Sequence, residues 1–165
     1  MGETTVPSQF AGETGELSAN RLNAGVFAIV AALWIGALIA PDLATCTYGQ
    51  PEWGRGYITL LTGWVGPLMM FTRPSLGIFA WYGNILLLMC MARMLSGRAP
   101  AVQHAIPGLV LALTALAPLS FYSEARGVDP LCGRGPGFWL WLAAFAVAAA
   151  AATWERSRWR PASAQ

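Results

Sequence analysis

Few side chains in this 165-residue chain could do chemistry: the thiols Cys46, Cys90 and Cys132, a single imidazole at His104, and a handful of methionines. A membrane dithiol enzyme needs two cysteines near each other in sequence, as in Cys-x-x-Cys, and that spacing is absent. So are the Gly-x-Ser-x-Gly elbow, the phosphate loop and the His-Glu-x-x-His pair. One histidine cannot provide a haem pair. Met69 and Met70 fall at one end of the expected topology, and Met89, Met91 and Met94 with Cys90 at the other, so they do not build one Cu(I) site. No catalytic residue, metal ligand or cofactor is expected, and the chain reads as a non-enzyme. Cys46 and Cys132 remain, both in loops expected on the oxidising side of a membrane, where they would pair as a disulfide.

The elements that position these groups are apolar. Hydrophobic residues make up 56 % and charged residues 11 % of the chain, against about 25 % charged in soluble domains. Asn23–Ala40, Leu76–Ala92, Ala105–Tyr122 and Gly137–Trp154 carry no charge, and each approaches the ~20 residues that a bilayer crossing needs. The expected fold is therefore an all-α integral membrane protein. It has four transmembrane helices and a short re-entrant or interfacial helix at 56–71, broken by Gly63, Gly66 and Pro67. Residues 1–20 read as a flexible cytoplasmic tail, 21–155 as one transmembrane bundle and 156–165 as a basic cytoplasmic tail. The net charge of +2 comes from arginine scattered through loops, so no nucleic-acid footprint is present. Those arginines favour a cytoplasmic location for both termini only narrowly. A five-span reading with the N-terminus outside scores equally.

Within the spans, Asn84 needs protein around it, because a side-chain amide facing lipid is costly. It serves either as a cross-link between helices or, with Trp64, Trp81, Tyr82 and the Gly63–Pro67 break, as the wall of a polar cavity. Pro118 frees the carbonyl of Thr114 and predicts a bend near the outer end of the third span. Trp53, Trp139 and Trp141 read as outer headgroup anchors, whereas Trp34, Trp64 and Trp81 are expected to face the bundle. Asp42, Glu52, Glu124 and Asp129 read as loop carboxylates, solvated or paired with Arg55, Arg126 or Arg134. Besides the lipid bilayer, the expected partner is a membrane protein or a second copy, docked on the small-residue stripe Ala24, Ala28, Ala32, Gly36 and Ala40.

Three stretches, Gly63-Trp-Val-Gly-Pro67, Phe79-Ala-Trp-Tyr-Gly-Asn84 and Gly135-Pro-Gly-Phe-Trp-Leu-Trp-Leu142, resemble those of an uncharacterised group of small bacterial multi-pass inner-membrane proteins. The resemblance covers Tyr48 to Ala152, departing from the group at Gly83 and Ile85. It implies a location in the bacterial inner membrane and no particular reaction. The expected function is a non-catalytic accessory or scaffold subunit. The alternative is a small channel or carrier with its path near Asn84 and the Gly63–Pro67 break.

Overall fold

The computed structural model describes residues 9–47, 50–65, 76–117, 120–123 and 127–158. Helix α1 (Gln9–Ile39) takes in much of the stretch read as a tail and runs to a proline stop. Pro41 lacks the N–H to continue the helix, and it instead opens strand β1 (Pro41–Thr47). Strand β2 (Gln50–Arg55), helix α2 (Gly56–Thr62) and a 3-10 turn over Gly63–Val65 follow. A 3-10 segment over Leu76–Tyr82 then leads into α3 (Gly83–Leu95). Helix α3 is closed by backbone bonds from Ser96 and Gly97, the latter at φ 70°, a left-handed conformation suited to glycine. Helix α4 (Val102–Leu113) tightens into a 3-10 turn over Thr114–Leu116. Strands β3 (Ser120–Ser123) and β4 (Gly127–Arg134) precede α5 (Pro136–Arg158), which has proline at its first position, where no donor is lost.

The strands correct the all-α expectation. They form one four-stranded antiparallel sheet in the order β2-β1-β4-β3. The four-span reading with a re-entrant helix is corrected as well. Among the described residues only Arg21–Ile39 and Pro136–Ser157 are long and apolar enough to cross a membrane, and the apolar helices Phe79–Leu95 and Val102–Leu116 are shorter. The second and third expected spans fall short for local reasons. The second stretch begins as 3-10 rather than α-helix. The third stops because Ala117, the residue before Pro118, is extended at ψ 158°, as steric contact with a following proline ring requires. The helix ends there instead of bending and continuing, and Tyr122 lies in β3. Of the expected helix at 56–71, residues 56–62 are α-helical and 63–65 form a 3-10 turn; Gly66 and Pro67 lie outside the described residues.

Helix α5 packs along α1 and α4, and α3 packs on α4. The core is built from small residues around a few large ones: Ala144, Ala148, Ala149 and Ala152 of α5 and Ala112 of α4 surround Phe145, Leu87 and Val30, all buried. Gly83 and Gly108 let α3 and α4 meet at backbone distance. A methyl group on Gly83 would stand 3.0 Å from the Gly108 carbonyl oxygen and 3.2 Å from the Phe145 ring. The sheet caps one end of this helical core. A second cluster of Leu43, Ala80, Ala115 and Phe138 joins it to the helices, and backbone bonds Gly56 to Ala40 and Gly135 to Asp42 fix the corners.

Candidate functional site

The candidate residues fall in three places. At the centre of the helices, Asn84 is 5 % exposed. Its side-chain oxygen accepts hydrogen bonds from the indole of Trp34 on α1 at 3.2 Å and of Trp141 on α5 at 2.9 Å. Its amide nitrogen donates to the Trp81 carbonyl at 3.0 Å. Both oxygen lone pairs are thus committed to protein, and one side chain ties α1, α5 and the start of α3 together. Trp141 therefore lies inside the bundle rather than at the outer headgroups. It continues an aromatic column along α5, with Phe138 at 5.9 Å on one side and Phe145 at 5.1 Å on the other.

Beside this centre, the indole of Trp81 donates to the Leu60 carbonyl at 2.6 Å, and its ring covers Gly63 so closely that a methyl group there would overlap it. Tyr82 stands edge-on to Trp81 at 5.4 Å. The structure thus joins Gly63, Trp81, Tyr82 and Asn84 through contacts and hydrogen bonds. Trp64, expected to face the bundle, is not among them: it is 55 % exposed. An aromatic cage of Trp64, Trp81 and Tyr82 has no closed wall.

The third place is the sheet. Ala44 pairs with Gly133 and Thr45 with Leu131, so β4 carries Cys132 as one extra residue against β1. This bulge sits beside Cys46, and Cys46 and Cys132 form a disulfide pair with Cα atoms 5.7 Å apart. Cys90 is a separate, buried thiol. Asp42 is 8 % exposed, and burial raises its carboxyl pKa above the ordinary 3.8, with a hydrogen bond to the Thr59 side chain partly opposing the rise. It is a sequestered group rather than a solvated loop carboxylate.

Arg134 has a role that its sequence context does not reveal. One guanidinium nitrogen donates to the carbonyls of Ala115, Leu116 and Ala117 at 3.1, 3.0 and 3.2 Å. A positive charge thus meets the carbonyls left open where α4 ends. The Thr114 hydroxyl bonds back to Leu111 in the same turn, and its carbonyl accepts from the Ala117 N–H. Thr114 therefore belongs to this helix end and not to the Asn84 centre. The guanidinium also lies 5.4 Å from the Phe138 ring centroid. Arg134→Met keeps the side chain's apolar stem but removes the charge and its bonds. It is expected to lower unfolding stability by about 2 kcal/mol, measured by thermal unfolding in detergent. An unchanged transition would show the cap to be without energetic weight.

Comparison of the chain with protein-family models, curated proteins and solved structures yields no match.

Proposed function

We propose that this chain is a bacterial inner-membrane protein anchored by α1 and α5, and that it acts as a non-catalytic accessory or scaffold subunit. Support for anchorage comes from how little of α1 the chain itself covers. Only 17 % of its apolar window is buried, whereas a core helix of a water-soluble domain is mostly buried. Ile29, Ile35 and Ile39 face outward from it. Gly137 at the start of α5 lies against Ala37 and Ala40, while Leu22 and Trp154 share a groove at the other end. The two helices are therefore antiparallel, with the N-terminal part of α1 and the C-terminal part of α5 on one side and the sheet on the other. Placing the termini in the cytoplasm puts Cys46 and Cys132 in the oxidising compartment.

The observation that carries the subunit reading is the unequal fate of the small residues. Ala144, Ala148 and Ala152 of α5 are buried within the chain, but Ala24, Ala28 and Ala32 of α1 stay exposed, leaving a flat face where another helix can approach closely. Asn84 argues the same way, since its oxygen is fully engaged by two tryptophans. The test uses the full chain. It should resist carbonate extraction from membranes and purify in mild detergent as a complex larger than one chain. Ala28→Leu should release a lone chain with an unchanged thermal transition. A parent protein that runs as a single chain would overturn the subunit role, and one extracted by carbonate would overturn the anchorage.

A further inference from the structure

We infer that the groove between α1 and α5 at the end away from the sheet is a binding site for one anionic membrane phospholipid. This deepens the membrane reading above and rests on it. The groove measures about 370 Å³ and has mostly apolar walls, among them Val26, Val147, Ala150, Trp154 and Pro100. Two polar side chains, Asn23 and Glu155, break that surface. Asn23 lines the groove at 8 % exposure and has no hydrogen-bond partner among the described residues. The groove is the direction open to this amide, so its donors and acceptor can meet a ligand there.

The surroundings select the ligand's charge. Arg21 precedes the groove residue Leu22, Arg156 follows Glu155, and Arg98 lies two positions before Pro100; all three arginines are exposed. Glu155, the acidic side chain lining the groove, is already engaged in an interaction of its own. Asn23 and Arg21 stand at the start of the apolar window of α1, and Glu155 and Arg156 at the end of that of α5, which is headgroup depth. An acyl chain lies along the apolar walls. The phosphate meets the arginines, and its ester oxygens meet the Asn23 amide.

The full chain, stripped of lipid by prolonged washing in neutral detergent, is mixed with phosphatidylglycerol or with phosphatidylcholine of the same acyl chains and examined by native mass spectrometry. The parent should retain one phosphatidylglycerol, in about tenfold preference to phosphatidylcholine. Asn23→Leu should weaken retention about fivefold. Ala150→Trp, which fills the groove from an exposed position, should abolish it with the thermal transition unchanged. Equal retention of the two lipids, or undiminished phosphatidylglycerol binding by both variants, would overturn the assignment. Carbonate extraction reports separately on anchorage, so failure of the lipid site and failure of the membrane reading are told apart.

Discussion

Replacing Asn84 with leucine should cost about 2–4 kcal/mol of unfolding stability. Two buried indole N–H groups, of Trp34 and Trp141, would lose their shared acceptor, and an orphaned buried donor costs about 1–3 kcal/mol. Hydrogen bonds between membrane helices average nearer 0.6 kcal/mol, and on the proposed anchorage this keeps the expectation below the sum of two full penalties. A double-mutant cycle separates this network from simple packing. If the acceptor is already gone, Trp141→Phe removes an orphan rather than a bond, so Asn84→Leu and Trp141→Phe together should cost about 1 kcal/mol less than their sum. The same cycle with Trp34, whose bond is longer at 3.2 Å, should show weaker coupling. Strict additivity in both cycles, or an Asn84→Leu protein as stable as its parent, would remove the amide from its central place.

Loss of the Cys46–Cys132 pair is the second large effect expected. The two residues are 86 positions apart, and the loop-closure relation gives about 4.6 kcal/mol for a ring of that size. The real figure should be smaller. On the proposed anchorage, α1 and α5 stay in the bilayer when the rest unfolds, so part of that entropy is never available. A loss of about 2–4 kcal/mol is expected for the double variant Cys46→Ala/Cys132→Ala. Cys132 is exposed at the bulge, so a reductant can reach it. Adding one should lower the thermal transition of the parent to that of the double variant and leave the variant itself unmoved. A parent indifferent to reductant would show that the pair carries no stability.

How far these features were readable depends on the kind of signal each leaves. Asn84 stands out because an amide inside an apolar run needs partners. Its indole partners lie 50 and 57 positions away and leave no local trace. The cysteine pairing follows from compartment alone, since neither residue has a motif around it. The sheet was not legible. Strands β1, β2 and β4 contain Pro41, Pro51, Gly54, Pro130 and Gly133 and lack the alternation of apolar and polar residues by which a strand is recognised. They are held by registration against one another, by the disulfide and by backbone bonds to Gly56 and Gly135. In the sequence alone Arg134 is a loop charge that could meet a carboxylate. Its partners are three carbonyls, and the one hint was an extended Ala117 imposed by Pro118, which leaves a helix end to be capped. The third apolar stretch ends short for the same reason, since hydropathy does not register where a backbone must turn.

The alanine lining of the α5 face has a consequence for motion. A methyl group has no χ rotor, so Ala144, Ala148, Ala149 and Ala152 cannot swing aside as leucine or methionine would. Any passage through this interior would have to open by whole helices drawing apart, against the latch formed by one amide and two indoles.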